Sequence, residues 1–188
     1  MKRGFDVDVM WCPNGRGRGK NRLGWQFPPK VRQQIVADCV GKRVLHLFGG
    51  RADFGLRVDV DPSVRPDVVA DAWLPPFARD SFDVVVLDPP YVQLSGQSKS
   101  ALMRIAAWIA KERVVWFSTS WISAGCGLHI ERAWLIRVGD NCLIRTLQYF
   151  RVDEQKVGLP KRFYRGTQQK YNRWLAQPQG LGLFEEGV

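Results

Sequence analysis

Two short apolar runs, Val44-Leu45-His46-Leu47-Phe48 and Leu56 to Val60, are separated only by Gly49 to Gly55, and this gap restricts the fold more than any other feature of the chain. The first run is nearly continuous in apolar residues, as expected of a strand buried on both faces of a parallel sheet. Parallel strands are ordinarily joined by a crossover of a dozen or more residues that contains a helix. No full helix fits between Gly49 and Gly55. None fits between Asp61 and Pro66 either, which lead to a third short run at Asp67 to Ala70. Seven extended residues reach about 23 Å, roughly enough to recross a five-residue strand of about 17 Å, so parallel strands with helix-free crossovers remain open. One face of that half-sheet then lacks a helix of its own. The first helix, the N-terminal arm or a second subunit, as a homodimer or a partner, must cover it.

The remaining elements follow from periodicity. Phe27-Pro28-Pro29 leads into Lys30 to Val40, where Val31, Ile35, Val36 and Cys39 fall at helical spacing and Pro29 suits the first turn. Val84 to Leu87 is a fourth strand, Ser98 to Ala110 an amphipathic helix, and Val114 to Phe117 a fifth strand. Ile130 to Val138 and Cys142 to Val152 flank Gly139-Asp140-Asn141, a hairpin signal, so the sheet is expected to end in an antiparallel pair. Strands alternating with crossovers indicate an α/β sheet. Residues 1 to 24, with Pro13-Asn14-Gly15 and no period, read as a loop or arm outside the core. The expected organisation is a basic Gly-rich arm over 1–25, one domain over 26–152, and a basic, aromatic tail over 153–188.

Lys and Arg number 28 against 18 Asp and Glu, a formal charge of +10, which points to a polyanionic partner. The excess sits at both ends. Arg16, Arg18, Lys20 and Arg22 lie in the Gly-rich segment, and Lys161, Arg162, Arg165, Lys170 and Arg173 interleave with Phe163, Tyr164, Tyr171 and Trp174. Cations alternating with aromatics suit phosphate contact and base stacking. A solvated arm and a helix docking its aromatics on the core are the alternatives for the two clusters. Cys12, Cys39, Cys126 and Cys142 are scattered without a CxxC pair, so neither a metal site nor a disulfide framework is expected. No apolar run approaches the roughly 20 residues that span a bilayer, and the first residues lack the apolar stretch of a signal peptide, so a cytoplasmic protein is expected.

The fourth strand ends abruptly in Asp88-Pro89-Pro90-Tyr91. Consecutive prolines cannot continue a ladder, so the carbonyls beside Asp88 and Pro89 lose strand partners and are left to accept bonds from a ligand. An acceptor cluster beside an aromatic platform suits a planar amine. This run resembles the DPPY motif of amino methyltransferases, which move a methyl from S-adenosylmethionine onto an exocyclic nitrogen of a nucleobase. Leu45-His46-Leu47-Phe48-Gly49-Gly50-Arg51-Ala52-Asp53-Phe54-Gly55 resembles the glycine motif of class I methyltransferases, without the usual third glycine spacing and following helix. Val58-Asp59-Val60-Asp61-Pro62 is similar to the acidic motif that holds the ribose hydroxyls. Position favours Asp59, although alternation puts Asp61 on the same face. Ala70-Asp71-Ala72-Trp73 resembles the adenine-clasping segment, and Gln26-Phe27-Pro28-Pro29 the motif that packs against the methionine moiety. Phe27 alternatively staples the first helix.

The resemblance covers about residues 26 to 152, in the gamma-type motif order. It implies a reduced Rossmann-like, mostly parallel sheet and S-adenosyl-L-methionine as cofactor, bound by Phe27, Pro28, Phe48, Gly49, Gly50, Asp59, Asp61, Asp71, Ala72, Leu87 and Asp88. It implies catalysis by Asp88, Pro89, Pro90 and Tyr91 on adenine N6 in DNA. An RNA base (guanine N2 or adenine N6) and a non-catalytic nucleic-acid-binding subunit are the alternatives. Gln179-Gly180-Leu181-Gly182-Leu183-Phe184 resembles the short peptides by which bacterial DNA enzymes bind the sliding clamp, with one residue inserted. A strap on the chain's own core is the other reading. The charge layout predicts nucleic-acid affinity that falls by orders of magnitude between about 50 and 200 mM salt. Filter binding over that range checks it, and a flat salt response refutes it.

Overall fold

The computed structural model describes residues 6–12, 27–89, 96–125, 127–138 and 143–153. The two basic clusters, Pro90, Tyr91 and the 179–184 peptide lie outside them. The described elements are β1 (Asp6–Cys12), α1 (Pro29–Asp38), β2 (Val44–Leu47), β3 (Leu56–Asp59), a 3-10 turn (Pro62–Val64), β4 (Val68–Val69), β5 (Phe82–Leu87), α2 (Gly96–Ile109), β6 (Ala110–Ser118), β7 (Leu128–Val138) and β8 (Leu143–Val152).

The strands form one eight-stranded sheet in the order β1-β7-β8-β6-β5-β2-β3-β4. β2 pairs in parallel with both β3 and β5, β3 with β4, and β5 with β6. β8 runs antiparallel to its neighbours β6 and β7, and every other strand shares one direction. The mostly parallel sheet, the antiparallel β7–β8 pair and the helix-free links from β2 to β3 and from β3 to β4 match the sequence reading, although β1 and not that pair ends the sheet. Residues 6 to 12 do not. They were expected to be loop, yet they form an edge strand parallel to β7, in register from Asp6 with Arg132 to Cys12 with Val138. Aspartate is depleted in strands, so Asp6 and Asp8 lower the strand propensity of a run in which they alternate with Val7 and Val9.

The pleat sends alternate residues to opposite faces. Val84 and Val86 of β5, Val115 and Phe117 of β6, Trp134 and Ile136 of β7, and Leu147 and Tyr149 of β8 form one buried cluster with Phe27, Val31, Ile35 and Cys39. α1 therefore covers this face. Its first turn is set by Pro28 and Pro29, with the Pro28 carbonyl accepting from the Arg32 amide at 2.9 Å. Its last turn is tied to β7 by Arg132, whose guanidinium donates to Asp38 at 2.9 Å. Burial pushes the Cys39 thiol up to about 11, so it stays protonated.

α2 packs on the opposite face, against β6 and β5, burying Leu102, Met103, Ile105, Ala106 and Ile109. Leu45, Leu47 and Val58 of the early strands are fully buried within the chain although no helix follows β2 or β3. Apolar surface is bare at both ends of the sheet: Val60 after β3 and Val69 of β4 are exposed, and so is a patch on β1, β7 and β8. Val7 and Val9 pair with Ala133 and Leu135 on the face away from α1, and Val7, Val9, Leu135 and Ile144 are exposed there. The described residues that link β6 to β7 carry no helix to cover them. No helix among the described residues is long and apolar enough to cross a membrane.

Ile35 is fully buried where α1 meets the sheet. Ile35→Ala should lower the unfolding free energy by about 2–5 kcal/mol, because the cluster cannot collapse around the void. Urea denaturation followed by circular dichroism measures it, and Val40→Ala, at a 78% exposed position, should stay within about 0.5 kcal/mol.

Candidate active site

The connections leave the sheet in opposite directions at β2 and β5, which are adjacent and parallel. In open α/β sheets the crevice beyond the carboxyl ends of such strands is where ligands bind. A pocket of about 100 Å³ opens there. Phe48 and Gly49 follow β2, Asp88 follows β5, and His46 comes from within β2. Phe27 and Arg32 enter from α1 and its approach, and Ala52, Asp53 and Phe54 from the β2–β3 link.

The link is shaped by close backbone approach. Phe48 takes the left-handed conformation (φ 59°), as does Gly50 (φ 48°), turning the chain sharply out of β2. The Gly49 amide donates to the Val58 carbonyl at 2.8 Å. A Cβ added at Gly49 would lie 2.8 Å from Arg57 Cβ and 3.1 Å from Arg57 Cα, so only glycine fits against β3. A left-handed phenylalanine is strained, and such residues concentrate at sites where the surrounding structure enforces them.

Asp59 holds the turn from the other side. One carboxylate oxygen accepts the Gly50 amide at 2.9 Å and the other the Asp61 amide at 3.0 Å. Each oxygen keeps a second lone pair, so a diol could still bind. Asp61 is turned to its own 3-10 turn, accepting from the Ser63 amide at 2.8 Å and hydroxyl at 2.9 Å. These bonds hold its carboxyl below the ordinary carboxylate range. Asp71 accepts the Trp73 amide at 2.9 Å beyond β4, beside buried Ala72. Arg32 forks onto Asp53 with bonds of 2.7 and 2.6 Å at the pocket mouth, lowering the Asp53 carboxyl.

Of the residues assigned from sequence, the pocket brings together Phe27, Phe48, Gly49 and Asp88. Gly50 and Asp59 meet each other next to it, while Pro28, Asp61, Asp71, Ala72 and Leu87 are not in its wall. Pro28 caps α1 and Leu87 is core. Pro89 is buried at the end of the strand.

Arg32, His46, Ala52, Asp53 and Phe54 line the pocket without having been singled out. His46 carried a signal, as the one polar residue inside an apolar strand, on the same side as Phe48. It is 2% exposed, and its ring stacks on Phe27 (5.3 Å, 17°) and Phe54 (5.3 Å, 29°). Phe117 meets Phe27 edge-on at 5.4 Å. Burial, reinforced by Arg57, drives the His46 pKa down to about 3, so the ring is neutral.

No family model matches the chain, and no curated protein matches it in sequence. Solved structures do match. Magnesium protoporphyrin IX methyltransferase from Synechocystis PCC 6803 with bound SAM is 12% identical, with a TM-score of 0.52 over 66% of this chain and 79% of that one. The N-methyltransferase NodS from Bradyrhizobium japonicum WM9 is 12% identical, with a TM-score of 0.53 over 66% of this chain and 96% of that one. A putative RNA methyltransferase from Pyrococcus horikoshii is 12% identical, with a TM-score of 0.52 over 75% of this chain and 94% of that one. The fold is the Rossmann-like methyltransferase fold. In this chain no α-helix follows β2 or β3.

The neutral His46 makes stability pH-dependent. An unfolded chain takes up a proton at this residue below about 6.5, whereas the folded chain does so only near 3. The unfolded state therefore binds more protons across that window. Stability should fall by about 1.4 kcal/mol per pH unit as pH drops from 6 toward 4 on account of this group. Denaturation of the wild type and His46→Leu across that range checks it: the substitution should flatten the slope by that amount.

Proposed function

We propose that the chain is an S-adenosylmethionine-dependent methyltransferase acting on an exocyclic amino group of a nucleobase, with adenine N6 in DNA as the leading substrate. The observation that carries this reading is that Asp88, ending the central strand β5, faces the same pocket as the Phe48-Gly49 turn of β2. The pocket suits the cofactor by its chemistry. Gly49, pressed against β3, brings the backbone of the turn into the pocket wall, and the buried His46 nitrogens have no hydrogen-bond partner among the described residues. Phe27, Phe48, Gly49 and Gly50 would hold its methionine end. Asp59, with lone pairs to spare, would take the ribose hydroxyls, and Asp71 and Ala72 the adenine. The cofactor, when bound, supplies an electrophilic methyl on a sulfonium.

The protein's task is to make the target nitrogen nucleophilic. An exocyclic amine is a poor nucleophile because its lone pair is delocalised into the ring. Asp88 accepts one amino hydrogen on its carboxylate and the Pro89 carbonyl accepts the other, drawing the nitrogen toward pyramidal geometry and returning the lone pair to it. Pro90 and Tyr91 lie outside the described residues; in the motif that the run resembles, the aromatic residue would stack on a base taken out of its helix. The phenylalanine cluster and α1 exclude water from one side of the pocket. The formal +10 charge supports a nucleic-acid substrate over a small molecule. The Pyrococcus horikoshii neighbour keeps RNA as the second polymer.

Asp88→Ala should lower turnover by roughly 100-fold or more while leaving affinity for S-adenosylhomocysteine within a few-fold, since the lost contact acts on the target amine. Labelled cofactor with separate DNA and RNA pools, digested to nucleosides, measures the transfer and identifies the base. Near-wild-type transfer by Asp88→Ala would refute the mechanism. Label in neither pool with the wild-type protein would refute the substrate class.

A further inference from the structure

We propose that the link leaving β6, residues 118–122, is a subsite for the nucleotide next to the target base, with Trp121 stacking on its base and Lys99 holding its phosphate. This rests on the nucleic-acid methyltransferase reading and adds to it a surface outside the cofactor pocket. Trp121 is the large hydrophobic residue of the link that stays open to solvent, at 42% exposure. Its neighbours on both sides are tied down. The Thr146 hydroxyl donates to the Ser120 carbonyl at 3.0 Å. The Gln148 side chain, fully buried in β8, accepts from the Ile122 amide and donates to the Ile122 carbonyl, each at 2.9 Å. These buried bonds fix the link, so the indole is displayed on a rigid support and loses little freedom when a base stacks on it.

Lys99 comes from the first turn of α2, and its ammonium donates to the Ser120 hydroxyl at 2.8 Å. The Ser118 hydroxyl braces the same group at 3.3 Å and accepts the Ser120 amide at 3.1 Å. An ammonium carries three donors. This bond uses one, and no carboxylate among the described residues is paired with it. The site lies beside the reacting point. Leu87 pairs with Trp116, so Ser118 stands two residues beyond that pair on β6, as Pro89 does after β5, and neighbouring strands are about 4.8 Å apart. Charge divides the carboxyl edge of the sheet at this position. Asp53, Asp59, Asp61 and Asp71 lie at or beyond the ends of β2, β3 and β4. Residues 114–125, with 135–138 closing β7 and 143–146 opening β8, include Arg137 and Arg145 and no acid. An exposed indole, next in sequence to the hydroxyl that holds a cation, suits a phosphodiester strand with an unstacked base on this acid-free half.

The test measures binding of the full chain to two end-labelled single strands of equal length by fluorescence anisotropy, one with bases and one abasic throughout, over a salt series. Trp121→Ala should weaken the strand with bases by about tenfold and leave the abasic strand within about twofold, while Trp121→Phe keeps most of the affinity. Lys99→Gln should weaken both strands and lower the slope of log affinity against log salt by about 0.7, and Lys99→Arg should preserve it. Equal loss on both strands with Trp121→Ala, no loss on either, or an unchanged salt slope with Lys99→Gln would overturn the subsite. Where Trp121→Ala does not fold, photocrosslinking of the wild type to a strand carrying 5-bromouracil decides: the adduct should map to Trp121, and adducts found only elsewhere overturn the assignment. A wild type that binds and methylates nucleic acid while the variants behave like it defeats the subsite alone. A wild type that binds neither strand defeats the nucleic-acid reading with it.

Discussion

The backbone contact between Gly49 and β3 is the constraint on which the site depends. A Cβ at Gly49 would come within 2.8 Å of Arg57, and the Gly49 amide is itself bonded to Val58. The β2–β3 link has no room for a helix, so the chain must turn back within a few residues, and it does so through two left-handed positions, Phe48 and Gly50. Strain of this kind persists only where neighbours enforce it. Here Asp59 enforces it by accepting the Gly50 amide, and Arg32 anchors the far side of the link through Asp53. The turn, the acid and the first helix thus form one unit around the pocket.

Loss of crossover helices alters how the sheet is buried. A doubly wound sheet normally covers both faces with the helices that connect its strands. Here α1, which precedes the sheet in sequence, covers one face through Val31, Ile35 and Cys39, and α2 covers the centre of the other. Leu45, Leu47 and Val58 of the early strands are buried nonetheless, while Val60 and Val69 at that end and Val7, Val9, Leu135 and Ile144 at the opposite end are exposed. β1 sits at that open end as an edge strand, supported on the α1 side, where Met10 packs against the core.

The pocket also carries the sharpest conflict between stability and function. An apolar residue at position 46 would suit the phenylalanine cluster better than a neutral imidazole with two unpaired nitrogens. Orphaned polar groups are tolerated where a ligand repays them, which makes the floor of this pocket the least self-sufficient part of the core. The Arg32–Asp53 pair at the mouth is solvent-exposed and serves orientation more than stability.

Much of this was legible in the sequence. Val44-Leu45-His46-Leu47 and Val84-Val85-Val86-Leu87 are apolar on both faces because both faces are buried, and the glycine-rich and Asp-Pro-Pro ends of those runs announced where strands stop. The short gaps fixed helix-free links, since chain length alone forbids a helix there. Other features depended on partners distant in sequence. Asp6 to Cys12 alternates Asp with Val, a short signal that becomes a strand where β7 offers its edge. His46 reads as one polar residue in a strand until Phe27 and Phe54, from either side of it in sequence, close around it. Asp59 and Asp61 share a face by alternation, and only the turn after β2, which delivers the Gly50 amide to Asp59, separates their roles. Local pattern dictates what each segment can become, whereas long-range contact decides which side chains meet.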